Sequence, residues 1–334
     1  MNSKIKGILF CFVLAIPSFF LGRRFPIIGG PVFGILLGMI VAYWRRPEAL
    51  NEGIKYTSKK ILQYSIILLG FGMNLFDVFR VGAHSLIVMV FTLAAAFLTA
   101  YFVGKALKLH GNVPILIGVG TAICGGSAIA ATAPVIKASD KEMAFSISTI
   151  FLFNVAAVFI FPALGHLMGM DDTNFGMWAG TAINDTSSVV AAGYAYSDAA
   201  GDYATIVKLT RTLMIVPITL ALAFWVTKKA KTEGAAGKGD YSVKKIFPWF
   251  VLGFLGASIV VTVVSGVTES TGMASAFEFL TQIGKYCIIM AMTAIGLNTK
   301  INELVKNGVR PIVLGLCCWF AVAVVSLICQ YFLM

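Results

Sequence analysis

Residues 113–136 read VPILIGVGTAICGGSAIAATAPVI, and residues 175–196 read FGMWAGTAINDTSSVVAAGYAY. Each has an apolar half, a polar or glycine-rich centre, and a second apolar half. They match one another as well. Gly120-Thr121-Ala122-Ile123 aligns with Gly180-Thr181-Ala182-Ile183, and Ser127 with Ser187, at a constant offset of 60. A helix of ~10 residues is about 15 Å long, which reaches only the midplane of a ~30 Å hydrocarbon core. Each segment is therefore either a re-entrant hairpin or a broken crossing helix. Non-helical backbone at that depth must line a cavity or be buried in protein.

On either side of these segments, apolar runs of about 20 residues recur along the chain, the length that crosses a bilayer. Of 334 residues, 58% are hydrophobic and 12% charged, where a soluble domain carries about a quarter charged. The expected fold is an all-α polytopic membrane protein with about 9–11 transmembrane helices, the two polar-centred segments and inverted repeats. Candidate spans are 5–22, 27–44, 60–79, 85–104, 144–166, 203–226, 247–267, 277–297 and 311–332, with the two polar segments between them. All of it reads as one membrane transporter domain over 1–334. Residues 1–22 form an extra N-terminal helix, 23–166 a first repeat, and 167–334 a second repeat split by a Gly/Ala/Lys-rich cytoplasmic loop at 228–245.

The net charge of +11 sits in short loops, which is a topology signal rather than a nucleic-acid surface. An N-terminus inside places Arg45, Arg46, Lys55, Lys59, Lys60, Lys105, Lys108 and the lysines of 228–245 in the cytoplasm. The C-terminus is then outside. Six cysteines without CxxC spacing and three separated histidines argue against a metal site, and no cofactor is expected. No nucleophile–base pair or phosphate loop points to an enzyme.

A second internal match supports the inverted repeat. Tyr64-Ser65-Ile66-Ile67-Leu68 with Gly72-Met73-Asn74 resembles Tyr286-Cys287-Ile288-Ile289-Met290 with Gly296-Leu297-Asn298. Segments two to four then pair with nine to eleven, and the odd offset makes each pair antiparallel. Re-entrant hairpins, one from each side, preserve that inversion; two crossing segments spoil it. Hairpins are the preferred expectation.

The candidate site residues follow from where polar groups interrupt apolar runs. Asn184-Asp185-Thr186-Ser187-Ser188 at mid-membrane is costly unless functional. Half-helix N–H groups and hydroxyls suit an oxyanion, whereas carbonyls and Asp185 suit a cation or proton. In Cys124-Gly125-Gly126-Ser127 the glycines let backbone turn and a ligand approach. Lys208 and Arg211 share one helix face, and point to an anionic substrate or to pairing with Asp185. Asn154, Asn74 and Asn298 are further polar candidates. Substrate binding is thus expected at Arg211, Lys208, Asn184, Thr186, Ser187, Ser188, Cys124, Gly125, Gly126 and Ser127, and ion coupling at Asp185, Asn154 and Asn298.

GTAICGGSAIAATAPVIKASDKEMAFSISTIF (120–151) and GTAINDTSSVVAAGYAYSDAAGDYATIVKLTRTLMIVP (180–217) resemble a bacterial membrane family named for sulfate export. That family is grouped with cation:proton antiporters and anion transporters. The first stretch is also similar to the crossing-helix region of bile acid:sodium symporters, and GFGMNL and AIGLNT resemble their Met-Gly-Leu segment. Here, however, the second polar segment precedes the second Gly-x-Asn segment. The resemblance implies a bacterial inner-membrane secondary transporter of a small anion such as sulfate, sulfite or a sulfonate, coupled to protons or sodium. By analogy with such folds it also implies a homodimer. Two other readings stay open: a cation:proton antiporter titrating Asp185, and a non-catalytic membrane subunit of a complex.

Overall fold

The computed structural model describes residues 3–25, 28–44, 46–109, 111–232, 248–267, 271–299 and 309–333. Arg45 and the loop from 233 to 245 lie outside them. Every regular element among the described residues is helical, as a chain deprived of water for its backbone polar groups requires. Among the described residues, seven helices are long and apolar enough to cross a membrane. The first is α1 (Ser3–Arg24), followed by the short apolar α2 (Gly30–Ala42). Next comes a rod wound in three ways: α3 (Asn51–Tyr56), a π turn over Thr57–Ile61, α4 (Leu62–Leu69), and a 3-10 turn.

Here the chain departs from the expected spans 60–79 and 85–104. The break falls at Met73, whose backbone is extended, and Asn74 caps α5 (Leu75–Ala106) by accepting from the Phe76 N–H. The 32 residues of α5 form one helix. The polar Arg80 and His84 between those two spans do not interrupt it, since neither removes a helical hydrogen bond as proline would. Asn74 is accordingly a helix cap.

Both polar segments are broken into half-helices. The first comprises α6 (Val113–Ala122) and α7 (Gly126–Thr132), the second α9 (Asp172–Ala182) and α10 (Thr186–Tyr196). Between them runs α8 (Asp140–Leu167), and α11 (Asp198–Leu213), α12 (Ile215–Thr232), α13 (Trp249–Val267), α14 (Thr271–Leu297) and α15 (Val309–Leu333) follow. Along the bundle α2 packs on α14 and α5 on α15.

The helix α8 fixes the geometry of both segments. The Asn112 N–H, at the start of α6, donates to Glu142 Oε1 at 2.7 Å. At the far end of α8, the His166 ring stacks on Tyr196 with centroids 4.2 Å apart. The 24 residues between these contacts span about 36 Å. The chain returns from α7 to Ser139, which caps α8 in a reciprocal box with Glu142, so α6 and α7 have their outer ends at one level. In the second segment Phe175 stacks on Tyr196 with centroids 3.9 Å apart, and Ser197 Oγ donates to Asp172 Oδ1 at 2.6 Å. The segment thus leaves the membrane where it entered. Both are hairpins, inserted from opposite ends of the bundle, as the inverted pairing requires. The return half of the first is shorter than expected: α7 has seven residues and ends in turns before Pro134.

Candidate functional site

The tips of the hairpins meet halfway along α8. Asn154 lies twelve residues from Glu142 and twelve from His166, and its Oδ1 accepts the Asp185 N–H at 3.1 Å. One residue type makes each turn. Gly125 sits at φ 68, ψ −129, a conformation essentially restricted to glycine. Asp185 instead has an ordinary extended backbone and caps α10: its carboxylate accepts from the Ser187 N–H at 2.9 Å and from the Ser187 hydroxyl.

Breaking a helix exposes carbonyls at the C-terminal end of its first half and N–H groups at the N-terminal end of its second half. The two sides are treated differently here. Lys208 and Arg211, both fully buried on α11, reach across to the carbonyl ends of α6 and α9. Lys208 Nζ donates to the carbonyls of Ile123 at 2.8 Å and Ile183 at 2.9 Å. Arg211 donates through Nε to Ala122 at 2.7 Å, through one terminal nitrogen to Thr121, and through the other to Thr181 and Ile183. A cation beside carbonyls at a helix C-terminus is favoured by charge and by dipole, and here two of them clasp both hairpins to one helix. Neither forms an ion pair with Asp185 among the described residues.

The N–H side opens on a cavity of about 550 Å3. Gly126, Ser127, Asn154, Asp185, Thr186 and Ser187 line it. The N-terminus of α7 has no side-chain cap, and Ser127 is exposed to the cavity. Cys124, Gly125, Asn184 and Ser188 lie behind this wall, buried and outside the lining. Asn184 has neither amide atom hydrogen-bonded among the described residues, a cost of about 1–3 kcal/mol for each group left unpaired. The sequence-derived constellation thus splits in two: a lining set, and a buried clasp of Lys208 and Arg211 whose donors point to backbone. Asn298 belongs to neither, because it lies at the end of α14 and accepts from Arg46 at 3.3 Å.

The opposite wall comes from residues that the sequence reading did not single out as site residues. Ser58, Lys59 and Gln63, on the π turn and the start of α4, face the hairpin tips across the cavity, with Phe250 and Ile295 beside them. π turns are often found at functional sites, but nothing in TSKKI announces one. The only available signal was the repeated Tyr64–Leu68 stretch immediately after it.

A family model described as "Conserved hypothetical protein 698" matches residues 6–315. A UPF0324 membrane protein of Fusobacterium nucleatum is 47% identical, aligned over 98% of this chain and 97% of its own. A UPF0324 membrane protein of Streptococcus mutans is 48% identical over 99% and 97%. Among solved structures, a sodium proton antiporter of Methanocaldococcus jannaschii aligns over 95% of this chain and 98% of its own. Its identity is 14% and the TM-score 0.29, a likeness too slight to carry an argument. These descriptions narrow the expected sulfate-export family to a membrane family without a stated substrate. This chain belongs to the family of UPF0324 membrane proteins described as conserved hypothetical protein 698.

Proposed function

We propose that the chain is a secondary carrier of a small anion, of the sulfate, sulfite or sulfonate class, driven by a proton gradient. One observation carries this reading: two opposed hairpins bring the N-termini of α7 and α10 together at mid-bundle, facing a cavity. Irregular backbone at that depth is tolerated where it lines such a space, and discontinuous helices at a repeat interface are the usual site of substrate binding in carriers. The uncapped Gly126 and Ser127 N–H groups, the Ser127 hydroxyl and Thr186 supply donors. Lys208 and Arg211 act behind this wall, holding the tips in register and adding positive potential rather than direct contacts. Asp185 lines the same cavity and is assigned the coupling of proton movement to anion binding.

The test is flux of labelled sulfate and sulfite into proteoliposomes under an imposed pH gradient. The parent should accumulate one of them, and Asp185→Asn should make uptake indifferent to the gradient. Uptake in the parent that ignores the gradient contradicts the coupling. A second reading, a cation:proton antiporter using Asp185, draws support from the direction of the Lys208 and Arg211 donors, which leaves Asp185 as the titratable side chain at the tips that lines the cavity. Proton movement on a sodium jump without added anion selects it.

A further inference from the structure

A second cavity, of about 350 Å3, lies at the end of the bundle where the second hairpin enters. Its walls include Arg23 of α1, Tyr194 and Asp198 around the hairpin base, and Lys285 and Ile288 of α14. The internal repeat relates it to the first. Aligning Tyr64–Leu68 with Tyr286–Met290 places Gln63 on Lys285 and Ile66 on Ile288. Gln63 and Ile66 line the first cavity, and Lys285 and Ile288 line the second. Equivalent positions of the two repeats therefore face a cavity at opposite ends.

The second cavity carries an ion pair in its wall. Lys285 Nζ lies 2.8 Å from Asp198 Oδ1, joining α14 to the start of α11, and 5.4 Å from the Tyr194 ring centroid. The lysine and aspartate side chains are 22% and 72% exposed, and pairs of that kind are weak enough to open and re-form readily. Arg23 stacks over Phe19 and makes no hydrogen bond or ion pair among the described residues. On the orientation read from loop charges, both cations lie at the outer end, where positive-inside topology gives no reason for them.

We propose that this cavity is the outward-facing counterpart of the first and is entered by the same small anion. Arg23 and Lys285, once Lys285 is released from Asp198, are its receiving cations. The proposal rests on the carrier reading above. Its test reads accessibility, which needs no transport. In the full chain with its cysteines replaced, Ser197→Cys reports the outer cavity and Ser127→Cys the inner one, labelled by an impermeant maleimide from each side. Lys285→Gln should raise labelling at 197 at least threefold and lower it at 127 by a similar factor. Lys285→Asp combined with Asp198→Lys should restore both. Sulfate or sulfite should protect both cysteines, and Arg23→Gln should weaken protection at 197 alone. With native cysteines retained, hydrogen exchange at 194–198 and 126–130 reads the same reciprocity. Unchanged or one-sided accessibility overturns the paired cavities even if the parent carries an anion. Reciprocal accessibility without protection by either anion overturns the anion assignment, and the carrier reading's substrate with it.

Discussion

The first hairpin turns at Cys124-Gly125-Gly126 and the second at Ile183-Asn184-Asp185. On their incoming sides they are alike, since both α6 and α9 end in carbonyls held by the same two cations. On their outgoing sides they differ. The first leaves α7 uncapped and uses a glycine conformation to turn. The second fills the equivalent place with a carboxylate that caps α10. One tip therefore offers bare backbone donors to the cavity, and the other a group that can change charge. A symmetric scaffold acquires two distinct chemistries by varying the residue on one side of each break.

The comparison can be broken most severely at its shared half. Arg211→Met leaves the Ala122, Thr121 and Thr181 carbonyls unpaired in the core. With about 1–3 kcal/mol per orphaned group, the three should together cost at least about 3 kcal/mol, read as a lower unfolding temperature in detergent. Lys208→Met should cost less, as it orphans the Ile123 carbonyl while Ile183 keeps its bond from Arg211. An Arg211→Met protein that melts like the parent would show that the clasp does not hold the hairpins.

The differing half predicts smaller effects. Gly125→Ala forces a side chain into the positive-φ turn and should cost about 1–3 kcal/mol, by the same thermal measurement. Asp185→Ala removes a helix cap, worth about 1 kcal/mol, whereas Asp185→Asn retains one and should stay within a few tenths. Asp185→Asn is thus the variant that separates coupling from folding: gradient-driven uptake should disappear from a protein that unfolds normally. Ser127→Ala should shift stability by less than about 0.5 kcal/mol while raising the half-saturating anion concentration. If Ser127→Ala leaves anion affinity untouched, the bare-backbone tip is not a ligand for it.

Much of this arrangement was legible in the chain. The interruption of apolar runs by Gly125-Gly126 and Asn184-Asp185, and the matched Gly-Thr-Ala-Ile motifs, marked both breaks to within a residue or two, because a turn inside a membrane needs residues that a span does not. Lys208 and Arg211 stood out for the same energetic reason. What they touch did not. A buried cation is equally consistent with an anion, a carboxylate or backbone carbonyls until the neighbouring elements are placed. Asn298 misled through its resemblance to Asn74. Both end up at helix termini, Asn74 as a cap and Asn298 as a partner of Arg46. The boundary at 79–85 failed because charged residues at a membrane surface do not end a helix.

Residence in a bilayer, the places where helices break and the polar groups that interrupt apolar runs can all be read along the chain, since each follows from the cost of desolvating local groups. That the broken segments are opposed hairpins, that two cations clasp their carbonyl ends, and that the π turn completes the cavity wall emerge from packing in three dimensions. The hydrogen bonds join residues 25 to 90 positions apart on the hairpin tips, and one cavity is lined by both Ser58 and Ser187, more than 120 positions apart. Such proximities are set by packing and leave no periodic trace in the local sequence.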